Sequence, residues 1–508
     1  MTGFGSSAVD DASDVTYTTT MNIGGRDISV LIDTGSSDLW ATGQVPNSTP
    51  TNFTADVTYA QGDAGGYISI APVQFAGYTI PDQTYINVTS GDPPSVDGLI
   101  GLGPYMGSTI RTTVGNPSAD PVLNRIFALN TSTPNFLSFI LGRSSGPSQP
   151  FSGEITVGEV IEGFEDVTKQ PKNEVQVLPT SDSGDQHWAL SLDTFTGPDG
   201  KSIPYTTTVP DESKPVAVLD SGFSLPQIPG NISDAIYGRV QGAQWLTTSP
   251  VGPVWQIPCE QELNISVTIG GKVYPIHPLD VSLEITINPD IPNICVGAFQ
   301  PSTIGFSNAA QIFDMVLGMS FLRNTYTLIN FGDFVDANSS VTADPYIQLL
   351  SLTDPGQAHQ DFVSTRLNNV DTTSDPQYAL LPASEQQSSG TGSPANPNPS
   401  NEMTKTKNKI TSAGKKIGKV VLIAIVAGAA LLLITLLVCF FVCCRKRGGK
   451  NQRMMSGLGM SGVGFKGTEV PMPPNQPGMG MGGTYAPISY PAPGSHAPQY
   501  GGYGYTQY

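Results

Sequence analysis

Charged residues are scarce in this chain. They make up 13% of its 508 residues, and the formal net charge is −18 at pH 7. An acidic surface repels nucleic acid, so binding to DNA or RNA is not expected. The excess of carboxylates suits a protein that works in acid, where many of them are neutral, but solubility alone would explain it equally well.

Sequence signals for several kinds of chemistry are also missing. The chain has neither a G-x-S-x-G turn nor a phosphate-binding loop, which argues against a serine hydrolase of that type and against a nucleotide enzyme. We expect no metal site and no cofactor, because the histidines are scattered without zinc-ligand spacing. We interpret each of them as a surface or capping residue: His187, His277, His359 and His496.

No cysteine precedes Cys259. The next, Cys295, lies in the same region, whereas Cys439, Cys443 and Cys444 lie near the C-terminus. A pair separated from the other three suggests one disulfide formed in an oxidising compartment, and two buried free thiols are the alternative.

A signal peptide is not visible in the first residues, MTGFGSSAVD, so either the chain begins after processing or its true start has been missed. Seven Asn-x-Ser/Thr sequons support secretion only modestly, because some arise by chance in so Ser/Thr-rich a chain. The candidate glycosylation sites are Asn47, Asn52, Asn87, Asn130, Asn231, Asn264 and Asn338.

Long stretches with a helical period are absent before residue 410. Short apolar runs, broken by Gly, Asn, Asp and Pro, instead predict an all-β domain over residues 15–345. Residues 346–416, rich in Ser, Thr, Pro and Asn, are predicted to form a flexible stalk. Residues 417–444 contain an uncharged apolar run long enough for one transmembrane helix, and residues 445–508 are expected to be a disordered cytoplasmic tail.

The orientation of that span is not decided by charge, because Lys and Arg flank both of its ends. The cysteine pair and the sequons place the β domain outside. We therefore predict a single-pass type I membrane protein of the plasma membrane or cell surface, or of a vacuolar or other secretory membrane.

Two apolar runs end on an aspartate. Residues 30–40 read VLIDTGSSDLW, with Asp33 after Ile32, and residues 216–226 read VAVLDSGFSLP, with Asp220 after Leu219. Burying a lone carboxylate is costly or forces it to take up a proton. One such Asp could be a turn residue, but two need a reason.

The reason is an internal repeat. The first motif is followed by VDGLIGLG and the second by DMVLGMSFLR, so each half has Asp-(Thr/Ser)-Gly and later two apolar residues before a glycine. Duplicated β units can pair about a pseudo-twofold axis, which brings the two aspartates face to face. Such carboxyls share one proton, and the pair can activate a water against a carbonyl carbon.

With these motifs the sequence resembles the pepsin-type aspartic proteases over residues 15–335. The marks are DTGSSDLW, DSGFSLP, DGLIGLG and VLGMSFLRNTYTLINFG, in that order. The resemblance implies an all-β fold of two β-barrel-like lobes around a cleft, at about 15–185 and 186–345. It also implies peptide or protein substrates, and we expect a monomer.

The resemblance also assigns roles by position. Asp33 and Asp220 match the catalytic dyad. The remaining assignments are dyad support by Thr34, Gly35, Ser36, Ser221 and Gly222; a flap tyrosine, Tyr59, with its indole partner Trp40; apolar pocket walls at Leu31, Val96 and Leu99; and a disulfide between Cys259 and Cys295. For Tyr59 the alternative is an ordinary strand aromatic.

The sequence departs from the family pattern near the dyad. Phe223 stands where Ser or Thr is usual, Ala60 replaces a flap glycine, and a first-lobe disulfide is missing. On the four motifs together, we nevertheless predict a membrane-anchored aspartic endopeptidase active at acid pH. The alternatives are a weak or inactive pepsin-fold binding protein at the surface, and a structural glycoprotein whose β region merely looks duplicated.

Overall fold

The structure is a computed structural model. It describes residues 5–60, 62–144, 153–179, 184–247, 253–285, 293–302, 312–332 and 343–390. These residues are mostly strands with a few short helices, as the apolar pattern predicts. In the second strand, for example, Tyr17, Thr19, Met21 and Ile23 are buried and alternate with more exposed residues. This period of two is that of a strand with one face in the core.

The elements of the first half of the chain are strands joined by short helices. The strands are β1 (Gly5–Ala12), β2 (Thr16–Ile23), β3 (Arg26–Asp33), β4 (Leu39–Ala41), β5 (Thr49–Thr58), β6 (Asp63–Phe75), β7 (Tyr78–Asp92), β8 (Gly98–Gly101), β9 (Phe136–Leu141), β10 (Gly153–Val157) and β11 (Asn173–Glu174). The α-helices are α1 (Thr109–Val114) and α2 (Val122–Leu129), and 3₁₀ turns occupy Tyr105–Gly107, Pro117–Ala119 and Glu165–Lys169.

The second half has shorter strands. They are β12 (Ala189–Ser191), β13 (Thr194–Thr196), β14 (Ser202–Ile203), β15 (Val216–Leu219), β16 (Gln227–Ile228), β17 (Gln244–Leu246), β18 (Val254–Ile257), β19 (Ile265–Ile269), β20 (Lys272–Ile276), β21 (Ser282–Ile285), β22 (Ile294–Gly297), β23 (Gln300–Pro301), β24 (Met315–Leu317), β25 (Thr325–Asn330) and β26 (Tyr346–Ser351). The helices are α3 (Gly230–Tyr237), α4 (Pro278–Val281), α5 (Met319–Leu322) and α6 (Pro355–Arg366), with 3₁₀ turns at Pro376–Tyr378 and Ala383–Glu385.

Among the described residues these strands form four sheets. The largest has the order β11-β26-β25-β9-β10-β1-β2-β3-β8-β4-β7-β6-β5, and β2 also pairs with β6. The others are β12-β15-β24-β16-β23, β14-β13-β19-β20 and β17-β18-β22-β21. Because β25 pairs with β9, both halves of the chain contribute to one continuous sheet.

The internal repeat is visible in the strand pairing. In the first half β3 runs parallel to β8, with Asp33 opposite Gly101, and β4 runs antiparallel to β8. In the second half β15 runs parallel to β24, with Leu219 opposite Leu317, and β16 runs antiparallel to β24. Each aspartate therefore lies at the carboxyl end of a central strand, in a turn that leads to the next strand of the same unit.

The folded region extends beyond residues 15–345 at both ends. Strand β1 precedes residue 15 and pairs with β10 and β2. At the other end the prediction of a stalk from residue 346 is wrong up to residue 390. Strand β26 pairs with β25, and its Ile347 and Leu349 are fully buried.

Residues 352–390, which we name the C-terminal strap, pack on the second half of the chain. Phe362 of α6 is fully buried and contacts a small cluster with Leu279. Farther along, the Leu381 amide donates to the Arg239 carbonyl at 2.8 Å, and the Ser389 amide donates to Asp234 at 3.0 Å. The strap has few large apolar residues, so its composition resembles that of a stalk although its backbone is held in place.

No helix within the described residues is long and apolar enough to cross a membrane. The predicted span at 417–444, the tail at 445–508, the remainder of the predicted stalk and the sequon at Asn338 all lie outside the described residues.

Candidate active site

The two repeated aspartates end up buried at equivalent positions. Asp33 is 5% exposed and Asp220 is 7% exposed. Each carboxyl folds back over its own turn, where Oδ1 of Asp33 accepts from the Gly35 amide at 2.9 Å and Oδ1 of Asp220 accepts from the Gly222 amide at 2.7 Å. The turns therefore fix both carboxyls in the same orientation relative to their strands.

Hydroxyl groups beneath the aspartates connect the two turns by mirrored hydrogen bonds. The Thr34 hydroxyl donates to the Leu219 carbonyl at 2.9 Å and accepts from the Ser221 amide at 2.9 Å. Conversely, the Ser221 hydroxyl donates to the Ile32 carbonyl at 2.9 Å and accepts from the Thr34 amide at 3.0 Å. These four hydrogen bonds are buried, so breaking any one of them would leave an unpaired polar group in the interior and destabilise the fold.

The glycine of each turn faces the opposite carboxyl. A Cβ atom built on Gly35 would lie 2.0 Å from Oδ2 of Asp220, and one built on Gly222 would lie 2.5 Å from Oδ1 of Asp33. Any side chain at either position would displace the opposite aspartate. These positions require glycine because of the close approach, not because of an unusual φ.

The environment of the pair favours one retained proton. Burial raises the pKa of Asp220 well above its usual range, and the negative charge of Asp33 and a hydrogen bond with its carboxyl raise it further. Two carboxyls this close cannot both ionise readily. The surroundings of Asp220 therefore favour its protonated form.

The outer oxygens of the two carboxyls differ in whether a side chain donates a hydrogen bond to them. The Ser36 hydroxyl donates to Oδ2 of Asp33. The equivalent position in the second turn is Phe223, whose half-buried ring packs with Val218 and Val316. A phenyl ring cannot donate a hydrogen bond, so this asymmetry also leaves the second aspartate as the more basic one.

Tyr59 lies at the tip of the hairpin formed by β5 and β6, which we name the flap hairpin. Its phenol oxygen accepts a hydrogen bond from the Trp40 indole N–H at 2.8 Å, as expected for the flap pair. Burial raises the pKa of Tyr59 strongly, and the nearby charge of Asp33 adds to the effect, so the phenol stays protonated. Ala60 is exposed and its φ is not positive, so the lost glycine causes no backbone strain there.

The predicted pocket residues share one apolar cluster with the flap. Leu31, Val96 and Leu99 pack together with Trp40 and Tyr59. Leu31 and Val96 are partly exposed, whereas Leu99 is 1% exposed. Leu99 therefore supports the wall from behind and does not present a surface to a ligand.

Cys259 and Cys295 form a disulfide in the second half of the chain, with a separation of 36 residues. This is the pair that the resemblance implied. The bond joins the segment after β18 to β22.

His187, which the sequence predicted to be a surface or capping residue, instead lies beside Asp33. Its ring contacts Phe313 edge-on, with 5.8 Å between ring centroids, and it lies near enough to Gly35 and Asp33 for both to affect its pKa. Burial lowers the pKa of His187, while Asp33 opposes this effect. Only the three-dimensional arrangement reveals that His187 lies near Asp33, because these two residues are far apart in sequence.

Asp38 is a second residue that sequence reasoning missed. It is buried and accepts hydrogen bonds from the Ser108 hydroxyl at 2.5 Å and from the Thr109 and Ile110 amides at 2.8 and 3.1 Å. Burial raises its pKa. The signal was present in the motif DTGSSDLW, where a second carboxylate follows shortly after Asp33. Its contacts indicate that it holds the first turn against α1.

Comparisons with known proteins agree with this geometry. A family model described as eukaryotic aspartyl protease matches residues 44–335. Major aspartyl peptidase 1 of Cryptococcus neoformans var. grubii is 26% identical over 370 residues, which cover 67% of this chain and 73% of that protein. Cathepsin D of Dictyostelium discoideum is 24% identical over 356 residues, covering 64% of this chain and 83% of that protein.

The fold agrees as well. The crystal structure of an aspartic proteinase from Irpex lacteus matches this protein with a TM-score of 0.50 at 19% sequence identity. The matched region covers 70% of this chain and 99% of the Irpex lacteus chain. At this identity the match supports the fold alone. Since the family model covers more than half of the chain, this protein belongs to the eukaryotic aspartyl protease family, a family of aspartic-type endopeptidases.

Proposed function

We propose that this protein hydrolyses peptide bonds at acid pH, with Asp33 and Asp220 as a dyad that shares one proton. The mirrored hydrogen bonds between Thr34 and Ser221 carry this proposal. They hold two buried carboxyls opposite each other, an arrangement that a single structural aspartate would not need. Acid pH is required because the pair must retain one proton to work.

In this mechanism a water is held between the two carboxyls. Ionised Asp33 removes a proton from the water as its oxygen attacks the peptide carbonyl carbon, and Asp220 donates its proton to the carbonyl oxygen. The product is a tetrahedral diol. The C–N bond then breaks as the amide nitrogen takes up a proton from the dyad, which releases an acid and an amine without a covalent enzyme intermediate.

A second candidate function is that of a weak or inactive pepsin-fold binding protein. The observation that favours it is Phe223, which replaces the hydroxyl donor expected beside Asp220. Activity distinguishes the two candidates. A binding protein would hold peptides without cleaving them, whereas the enzyme would release fragments sensitive to pepstatin.

The decisive experiment is a peptide-library digest by the purified protein at several pH values. We expect cleavage in acid that is lost in Asp33→Asn and in Asp220→Asn. Asp211→Asn is the matched control, because Asp211 is exposed and its positive φ suits asparagine. Retention of full activity by either dyad variant would refute the shared-proton mechanism.

We also propose that the protein is a single-pass type I membrane protein, monomeric, on the secretory pathway or cell surface. The apolar run within 417–444, the sequons and the disulfide support this placement. Protease treatment of intact cells tests it. The tail at 445–508 should be protected, and digestion of the tail from outside would invert the topology.

A further inference from the structure

The sequons differ in what their asparagine side chains do in the folded protein. Asn47, Asn130 and Asn231 each donate from the side-chain amide to a backbone carbonyl, at 2.9, 2.9 and 3.2 Å. Asn52 and Asn264 are exposed, and Asn87 is partly exposed. The first three amides are therefore used within the fold, and the last three face solvent at least in part.

Asn87 lies on β7, the strand that pairs with β6 of the flap hairpin. On β7 its neighbours Ile86 and Val88 pack into the apolar cluster that contains Trp40. Because side chains alternate along a strand, Asn87 points to the opposite face. On this face Tyr85 and the cross-strand partner Ala41 are fully buried, whereas the sequon partner Thr89 is exposed. The site therefore lies where this face of β7 passes from the core to solvent.

Tyr67 of β6 stands directly opposite Asn87. The two residues are cross-strand partners, and Thr54 of β5 is the partner of Tyr67 on the other side. Cross-strand partners share a face and have Cβ atoms about 4.5–5.5 Å apart. Tyr67 is 54% exposed, one of the most exposed large apolar side chains among the described residues. An aromatic ring thus lies uncovered next to a sequon.

We propose that Asn87 carries an N-linked glycan and that the first sugar packs on the ring of Tyr67. One face of a pyranose ring presents C–H groups, which carry a small positive charge and complement the negative face of an aromatic ring. The sugar would cover the apolar ring, and its hydroxyls would remain in water. The flap hairpin would then have a hydrated outer face opposite the face that meets Trp40.

This inference rests on the proposed secretory location, because N-linked sugars are added there. Neither Asn87 nor Tyr67 contacts the dyad. The modification is therefore separable from the proteolytic reaction, and the two proposals can fail independently.

The test uses the full chain expressed in a eukaryotic secretory host, with site-resolved mass spectrometry of glycopeptides. We expect a sugar at Asn87. Thr89→Ala removes the sequon and should lower the melting temperature by roughly 1–3 °C. In a Tyr67→Ala background the same change should have almost no effect. The matched control is Ser266→Ala, which removes the sequon at Asn264 and should cost the same with or without Tyr67.

Two results would overturn the proposal while leaving secretion intact. One is an unmodified Asn87 in a protein whose other sequons carry sugar. The other is an equal cost of Thr89→Ala with and without the Tyr67 ring. A protein without sugar at any sequon would overturn both this proposal and the secretory location. Acid proteolysis, measured on the same preparation, decides the proposed enzymatic function separately.

Discussion

Replacing Phe223 by serine should move the pH profile of proteolysis to lower pH. Ser36 donates to Asp33 in the first turn, and a serine at the equivalent position of the second turn would bring a donor to Asp220. At present burial and the charge of Asp33 keep the pKa of Asp220 high. A new donor favours the ionised form, so the pKa of Asp220 should fall.

The size of the change follows from the strength of one hydrogen bond to a charged group. Such a bond contributes about 1.5–3 kcal/mol, which corresponds to roughly one to two pKa units. Because the dyad titrates as a pair, the shift belongs mainly to the step in which its last proton is lost. That step sets the alkaline limb of kcat/KM, which should move down by about one to two pH units.

The assay is kcat/KM against pH for a single fluorogenic peptide. Phe223→Ala is the control, since it removes the ring without adding a donor and isolates the effect of water entry. Coincident profiles for the serine and alanine variants would show that the hydroxyl does not reach Asp220. Activity that appears only in Phe223→Ser would show instead that phenylalanine had disabled the enzyme.

Three further predictions concern stability, each measured by denaturant unfolding. Phe362→Ala empties a fully buried site in the strap and should cost about 3–5 kcal/mol, whereas a loosely attached stalk would show no change. The hydrogen bond to Glu262 raises the pKa of His359. His359→Gln should therefore lower the free energy of unfolding at pH values below the ordinary histidine pKa, and this difference should vanish as pH rises through the raised pKa. The difference should also become smaller in stronger acid, where Glu262, whose own pKa is raised by burial, takes up a proton. A difference that grows toward alkaline pH would contradict this. Replacing Cys259 and Cys295 by serine should cost roughly 3–4 kcal/mol for the 36-residue separation, and an unchanged midpoint would mean that the disulfide does not constrain the unfolded chain.

The arrangement around the aspartates could be predicted because its signals are local. Asp33 and Asp220 each follow an apolar run and precede a glycine within a few residues. The repeat then implies symmetry, and symmetry implies contact between the turns. The structure repeats this arrangement in the parallel pairing of β3 with β8 and of β15 with β24.

The strap and His187 could not be predicted because their partners are distant in sequence. Phe362 is buried against Leu279. The strap is also held by hydrogen bonds and ion pairs to residues distant in sequence, such as that of His359 with Glu262, which leave no apolar pattern. His187 lies near Gly35 and Asp33, which belong to the other half of the chain. Neither composition nor motif spacing can predict these two contacts, because they form only when distant parts of the chain pack together.

The dyad needs its symmetry to be broken, and the residues around it do this on one side. Mirrored bonds between Thr34 and Ser221 would make the two carboxyls equivalent, and equivalent carboxyls would share the proton evenly. Ser36, beside Asp33, favours that aspartate as the charged partner. Phe223, at the equivalent position beside Asp220, cannot donate a hydrogen bond to that carboxyl. The repeated turns therefore bring the two acids together. In the proposed mechanism, the differences between these turns determine that Asp33 activates the water and that Asp220 donates the proton.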